Sequence, residues 1–523
     1  MDSLISDLKT EGDPFVRCNE KFVKEIRGGG TGGINASSYA DEVRLLCEQA
    51  GKIGSIVSSL LGLGSRNESV QLPVVSDAAI QAFKQALRLV IGLITQKSGN
   101  FHLDSEKLVI FVLANMKLIV VDDQLLVYNY SEGIYVDATT LGRPIALLLN
   151  YSGGDVWTQN AEQKLFELLR RRARKVDADE MNRRYYIFKD KALDLKSLDL
   201  VDFSPECLST MKSQVSPCSM PTPKWGNFLS TTFDDDETAT FVQEWMGYQL
   251  DREHAGESFL FMISSGASGK STLLTVMRSL VGGANTTSTK LQQLGGDFGL
   301  APLVGKASLL SDESPDGAFP TDILKLLTTG SPVTVNQKYQ DAKEMVLRIK
   351  LTFAFNSLPQ AEQTIGFERR LILLLFPHTF TEDVANKDLS KQLEREMPGI
   401  AFLAIKALRH LRKNGYTFTE SVAMKEAKRE YLDKGKPNVL KYLERRIHRS
   451  QSGRVRKPDI YKDYQSWESR MALPVLSNKQ FWREANSYWQ QAVRTAKEPV
   501  KVRGVDYLDH IRLGDDTDER VSN

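Results

Sequence analysis

The chain of 523 residues has only four cysteines, Cys18, Cys47, Cys207 and Cys218, and no two are spaced as CxxC. That excludes a zinc ribbon and a disulfide framework, and it fits a cytosolic setting. The six histidines are equally scattered, so no resident metal site is indicated beyond an ion that arrives with a ligand. No apolar run approaches the roughly 20 residues of a membrane span. The acidic start, MDSLISDLKTEGD, has no signal-peptide core. No membrane partner is therefore expected. Net charge is nearly absent as well, at +2.

What is present is ordinary in bulk and uneven in detail. A hydrophobic content of 41% and a charged content of 26% are those of a globular protein. The length predicts three or four domains. Residues 401–510 hold 24 Lys and Arg against 12 Asp and Glu, so the rest of the chain is net negative. A basic segment on a near-neutral chain suggests an anionic partner, most simply nucleic acid. Solvated helix faces would give the same count.

Residues 1–100 read as mostly helical, with the Gly-rich RGGGTGG (27–33) as a flexible joint. Residues 107–135 read as a small sheet with hairpins, and Asp122-Asp123 as the turn between two strands. AEQKLFELLRRRARKV (161–176) reads as a basic amphipathic helix, and 185–200 as short strands. A Pro/Ser-rich linker, 215–229, follows. A helix over 237–250, containing WMGYQL, leads into the most informative run of the chain.

That run is FLFMISSGASGKSTLLTVM (259–277). It reads as a strand, a Gly/Ser turn and an amphipathic helix. Such a turn aims backbone N–H groups and a helix N-terminus at phosphates. The cradle is Ser265, Gly266, Ala267, Ser268, Gly269, Lys270, Ser271 and Thr272. Lys270 is placed to reach the β and γ phosphates, and the Ser271 hydroxyl to ligate Mg²⁺. The pattern asks for Gly five residues before Gly269, and the chain has Ser264 there. Binding and hydrolysis of ATP or a related nucleotide is the expectation.

Three more apolar strands follow, ASLLSDE (307–313), LRIKLTFAFN (347–356) and RLILLLFP (370–377). Their alternation with helices implies an α/β domain with a largely parallel sheet. The acidic pair closing the first supplies what phosphoryl transfer needs: Asp312 to hold Mg²⁺ and Glu313 to polarise water. Asn356, at the end of the second, can sense the γ-phosphate. Arg369 and Arg370, read at the start of the third, can act on a neighbouring subunit's γ-phosphate; an ion pair with Glu368 is the bland reading. Between them, VTVNQKY and EMVLRIKL read as a hairpin. Lys338, Tyr339 and Lys343 near its tip can offer cations to phosphates and an aromatic to a base. Beyond residue 382 the chain reads as helical and basic, with a last hairpin near 500–508 compatible with a winged helix.

The order GASGKST, LLSDE, basic hairpin, FAFNSLP, ERRLILLLFP resembles the superfamily 3 AAA+ helicases. WMGYQL, LTTGSPVTVNQKY and KLTFAFNSLP resemble their phage/plasmid and poxvirus primase-helicase branch. The resemblance spans about residues 100–523. It implies an α/β AAA+ P-loop core over 236–380, an α+β domain over 101–235, and a mainly helical, winged-helix-like domain over 381–523. It also implies a hexameric ring that uses ATP and Mg²⁺ to move on single-stranded and forked DNA, 3′ to 5′. Lys270, Ser271, Asp312, Glu313 and Asn356 fall on the ATPase positions, Arg369 or Arg370 on the finger, and Lys338 and Lys343 on the DNA hairpin.

Departures are Ser264 for the usual Gly, Ser268 where Asn is common, Ser331 where Asp is frequent, and Glu368 where an aromatic is common. The first 100 residues are too short for a primase, so a separate primase is the expected partner. A second reading is an ATP-switched, origin-binding initiator without processive unwinding. A third is an RNA-directed or packaging NTPase.

Overall fold

The computed structural model describes residues 88, 91–153, 156–264, 266–312, 319–339, 341–359, 364–380, 386, 388–434, 437–470, 475–493, 499–502 and 505–514. The joint at 27–33, Cys18, Cys47, Ser265 and Glu313 lie outside them, as does most of the helical expectation for residues 1–100.

The first hairpin pairs β1 (Leu93–Thr95) with β2 (Phe101–Leu103). Helix α1 (Ser105–Asn115) follows, and this corrects the expectation of strand from residue 107. A short apolar run has no period that separates a buried strand from a buried helix. The cap decides it: the Asp104 carboxylate accepts from the N–H groups of Glu106 (3.0 Å) and Lys107 (3.3 Å). Strands β3 (Leu118–Val121) and β4 (Gln124–Asn129) then form the expected hairpin. Asp122 and Asp123 turn it with φ of 47° and 65°, a left-handed pair that Asp tolerates. After β5 (Ile134–Asp137) come α2 (Gly142–Tyr151) and α3 (Gln159–Arg172). Helix α3 ends earlier than read, because β6 (Arg174–Lys175) leaves it to pair with β3 in the order β5-β4-β3-β6. Strands β7 (Tyr185–Ile187), β8 (Ala192–Asp194) and β9 (Asp199–Val201) form the expected second small sheet.

Helices α4 (Pro223–Thr232) and α5 (Asp236–Leu250) lead into a mixed α/β unit. Its elements are β10 (Phe259–Ile263), α6 (Lys270–Val281), β11 (Thr286–Thr287), β12 (Ser308–Ser311), α7 (Thr321–Thr329), β13 (Val333–Val335), β14 (Lys343–Met345), β15 (Lys350–Phe355), α8 (Ile365–Arg370) and β16 (Leu371–Leu375). Five strands make one parallel sheet in the order β11-β12-β15-β10-β16. Continuous apolar runs suit a sheet buried on both faces. Alternation sorts them: Leu260, Met262 and Leu374 face one core with α5 and α6, while Phe259, Phe261 and Leu373 face another with Leu324 and Leu327 of α7.

The long helix α9 (Leu389–Lys413) packs on α4, α5 and α6. Gly247, in WMGYQL, permits this approach. A Cβ there would sit 2.4 Å from the Ala404 carbonyl oxygen of α9. Helix α10 (Val422–Lys434) precedes a separate C-terminal core built on α11 (Asn438–Arg446), β17 (Ile447–Arg456), α12 (Lys457–Arg470), α13 (Asn478–Val493), β18 (Pro499–Val502) and β19 (Val505–Leu513). The strands form an antiparallel sheet, β17-β19-β18, with the hairpin where it was expected. Among the described residues no helix is long and apolar enough to cross a membrane.

Candidate functional site

The sheet order places β15 between β10 and β12, while β16 flanks β10 on its other side. The strand order reverses at β10. In open parallel sheets the crevice beyond the carboxyl ends at such a reversal is where ligands bind. The Gly/Ser turn leaves β10 at that point. Gly266 (φ 116°), Ala267 (φ 45°) and Gly269 (φ 95°) take left-handed conformations, which give the loop its curl. Ser264 does not, so the position where the pattern asks for Gly has no steric need of it here. Its hydroxyl instead accepts from the Gly266 N–H (3.2 Å) and the Ser268 hydroxyl (2.6 Å).

Helix α6 begins at Lys270 with Gly269 as its N-cap and no side-chain cap. Helix geometry leaves its first N–H groups without intrahelical acceptors. The buried Lys270 ammonium donates to the carbonyls of Phe355 (2.6 Å) and Ser264 (3.3 Å) and to Asn356 Oδ1 (2.9 Å). Thus the ends of β10 and β15 are tied at the lysine. A cleft of about 630 Å³ opens here, lined by residues 266–272 together with Asp312 and Asn356. The structure therefore brings Lys270, Ser271, Thr272, Asp312 and Asn356 to one cavity.

The far wall of the cleft escaped the sequence reading. Asn227, Phe228 and Thr231 of α4 line it, with Phe380 and the first turn of α9, Leu389 and Ser390. Phe228 lies where a Cβ on Gly269 would come within 3.1 Å. The Phe380 N–H donates to the Ala267 carbonyl (2.8 Å). Helix α4 is oriented from α9: the Glu396 carboxylate accepts from the N–H groups of Lys224 (3.0 Å) and Trp225 (2.9 Å). No local sequence signal marks a cap supplied from so far along the chain.

The arginines lie elsewhere. Arg369 and Arg370 occupy the last turn of α8, which corrects their placement at a strand start, and their partner is Glu257, not Glu368. Both bond Glu257 Oε2, at 2.5 and 3.0 Å. This is the amino end of β10 and β16, about 13 Å along the strand from the Gly/Ser turn at 3.3 Å per residue. Neither arginine lines the cleft of its own chain. The two differ in exposure. The Arg369 side chain is 65% exposed; that of Arg370 is 10% exposed and also donates to the Gly366 carbonyl. Burial holds the Arg370 pKa below its usual value, against the pull of Glu257.

The hairpin forms where it was read, β13 pairing with β14, although both strands are shorter. Lys338, Tyr339 and Lys343 are exposed on it, and Tyr339 is fully so with a φ of 62°. It feeds the amino end of β15, away from the cleft. There Lys350 is buried, donating to the Glu253 carbonyl (2.5 Å) with its ammonium 3.9 Å from the Tyr248 ring centre. Burial lowers its pKa to about 7. Nearby Asp251 receives two bonds from Arg412 (2.7 and 3.0 Å) and one from the Tyr416 hydroxyl (2.7 Å). Burial raises the Asp251 pKa, but Arg412 and Lys350 outweigh it and hold the carboxyl below the usual range. Among the described residues no group of three or more His, Cys, Asp or Glu could hold a metal ion.

Residues 262–370 match a family of unknown function, DUF5906. An uncharacterized mitochondrial protein of Marchantia polymorpha, ymf21, is 24% identical over 167 residues, which cover 29% of this chain and 93% of that protein. Among solved structures, the A form apo structure of the NrS-1 C-terminal region gives a TM-score of 0.47 at 11% identity, covering 77% of this chain and 97% of that one. The apo structure of the same region, residues 305–718, gives 0.45 at 12% identity, covering 77% and 98%.

Proposed function

We propose that this chain is an ATP-dependent replicative DNA helicase of a phage, plasmid or integrated element, with a superfamily 3 AAA+ core that works as a homohexameric ring on single-stranded DNA. One observation carries the reading. Lys270, Ser271, Asp312 and Asn356 converge on a single cleft at the carboxyl ends of β10, β12 and β15.

The residues fit a nucleotide with Mg²⁺. A left-handed loop and an uncapped helix start supply N–H donors for phosphates. The ammonium of Lys270 neutralises phosphate charge. Ser271 and Asp312 would hold Mg²⁺, two protein ligands being enough when phosphate oxygens and waters complete the shell. Glu313 would orient water and Asn356 would sense the γ-phosphate. The wall formed by Phe228, Thr231 and Phe380 suits the rest of the nucleotide.

Arg369 and Arg370 sit too far from their own cleft to touch its contents, so they serve a neighbour's. Of the two, the exposed Arg369 is the finger and the buried Arg370 its brace. The hairpin with Lys338, Tyr339 and Lys343 grips the strand by charge and stacking. The end of the chain is a winged helix.

The test is ATP-dependent unwinding of a forked DNA by purified protein, with Lys270→Ala as control. Unwinding by the wild type alone is expected. Hydrolysis that survives in Lys270→Ala overturns the site. Hydrolysis without unwinding moves the reading to an ATP-switched initiator.

A further inference from the structure

We propose that Glu257 is the positioning residue for Arg369, aiming its guanidinium outward for a neighbouring copy's cleft and yielding it to the phosphates held there. The inference rests on the finger reading of Arg369 given above. It starts from the backbone of Glu257, which has a φ of 38°. That left-handed region is open to Gly and is tolerated mainly by Asn and Asp, whose side chains are short. The turn itself therefore gives no reason for a glutamate. It is nonetheless firmly held. The Glu257 N–H donates to the His254 carbonyl (2.9 Å), and the Ser258 hydroxyl donates to the Gly256 carbonyl (2.6 Å). A Cβ on Gly256 would lie 2.8 Å from the Tyr248 ring of α5, and one on Gly330, at the end of α7, 2.3 Å from the His254 ring. A backbone wedged between two helices places the carboxylate by the turn and not by side-chain freedom.

The reach of glutamate explains the choice. One oxygen, Oε2, accepts from Arg369 Nη2 (2.5 Å) and from Arg370 Nη2 (3.0 Å). Two adjacent guanidiniums repel each other, and a shared acceptor brings them to one point. Arg370 is the fixed side of this arrangement, 10% exposed and bonded to the Gly366 carbonyl (2.8 Å). Burial lowers its pKa and the charge of Arg369 adds to that, while Glu257 opposes both. The carboxylate is thus anchored by a buried cation. Arg369, 65% exposed, meets an acceptor that cannot swing away, and among the described residues it has no other ion-pair partner.

An exposed guanidinium–carboxylate pair is weak and screened by solvent. Glu257 therefore sets a direction without retaining the cation. A phosphate takes a guanidinium through paired, charge-assisted bonds and is the stronger acceptor in a site shielded from water. Transfer of Arg369 to it is downhill, and Glu257 receives the side chain again when the phosphate leaves. The bland reading is a stabilising ion pair. It needs only the buried Arg370, and it leaves without a role the shorter bond, made to an arginine that water alone would satisfy. Glu368, the acid nearest in sequence, pairs with neither arginine.

The experiment is steady-state ATP hydrolysis by the full chain, with Glu257→Gln, Glu257→Asp, Arg369→Ala and the double variant Glu257→Gln/Arg369→Ala. Glu257→Gln keeps the size and an acceptor oxygen for Arg370 but drops the charge. Its kcat should fall roughly ten- to a hundredfold, the scale of a misplaced catalytic group. Its KM should stay at the wild-type value, because the chain's own cleft is untouched. Glu257→Asp keeps the charge and suits the turn but stops short of the guanidiniums, so it should lose turnover as well. The double variant should be no slower than Arg369→Ala alone, since one residue acts through the other. Full turnover in both Glu257 variants, with loss in Arg369→Ala, overturns this inference alone. So do losses that multiply in the double variant, a raised KM with unchanged kcat, or a faster Glu257→Gln, which would make Glu257 a restraint. Full turnover in Arg369→Ala removes the finger reading itself, and this inference with it.

Discussion

Ser268 donates its hydroxyl proton to Ser264 Oγ across 2.6 Å, inside the Gly/Ser turn. These are the two positions at which the loop departs from the residues usual there. Each departure accommodates the other, since the Gly266 N–H also bonds Ser264 Oγ. Ser264→Ala leaves both groups without their acceptor. A lost buried hydrogen bond costs about 1 kcal/mol, which corresponds to roughly a fivefold change in an equilibrium constant. The expected outcome is a nucleotide KM several-fold higher with kcat little changed. Ser264→Gly, which restores the usual residue, should behave no better than Ser264→Ala. Tighter nucleotide binding by the glycine variant would show that the hydroxyl pair is not what shapes the loop.

The exposures of Arg369 and Arg370 predict different phenotypes. Arg370 is buried against the Gly366 carbonyl and Glu257, so Arg370→Ala should destabilise the fold by about 1–3 kcal/mol. Arg369→Ala removes an exposed cation whose ion pair contributes about 0–1 kcal/mol. Its melting temperature should stay near that of the wild type while ATP turnover falls by two or more orders of magnitude. Paired melting and turnover measurements decide the matter; full turnover in Arg369→Ala removes it from the finger role.

Lys350 sets a sign for the pH dependence. Its pKa falls from 10.5 in the unfolded chain to about 7 in the fold. Between those values the unfolded state binds more protons, so stability rises with pH across the window. A single such group gives a slope of at most about 1.4 kcal/mol per pH unit. Urea midpoints measured at pH 7 and pH 9 should increase more in the wild type than in Lys350→Met. Parallel increases in the two proteins would mean that the ammonium is solvated in the fold.

The core sheet was legible in the sequence because its strands are unbroken apolar runs, and a doubly buried parallel sheet demands that pattern. The turn and helix start at 266–272 were legible because the pattern that forms them is local. What was missed depends on distance along the chain. Glu257 meets Arg369 and Arg370 more than a hundred residues away. Glu396 caps a helix more than 170 residues before it. Phe228 and Phe380 reach the cleft from opposite sides of the Gly/Ser turn in sequence. The helix at 105–115 was misread because its apolar run is ambiguous, and Asp104, the informative residue, stands just before it.

Gly247 gives a prediction about helix spacing. Gly247→Ala puts a methyl group 2.4 Å from the Ala404 carbonyl oxygen and 2.8 Å from the Leu408 nitrogen. Both are backbone atoms, so α5 and α9 must separate. Overpacking of this kind costs roughly 1–3 kcal/mol. A lower melting temperature is expected, although alanine is the better helix former. A variant that melts at or above the wild-type temperature would show that the two helices part freely.

Helix α9 also acts as a strut. Leu389 and Ser390 at one end line the cleft, and Arg412 at the other grips Asp251 and the Leu195 carbonyl beside the β7–β9 sheet. The two ends are about 33 Å apart at 1.5 Å per residue. The helix packs along its flank against α5 and carries Pro398 between its two ends. One helix therefore borders both the cleft and the small preceding sheet, and the Arg412–Asp251 pair fixes its far end.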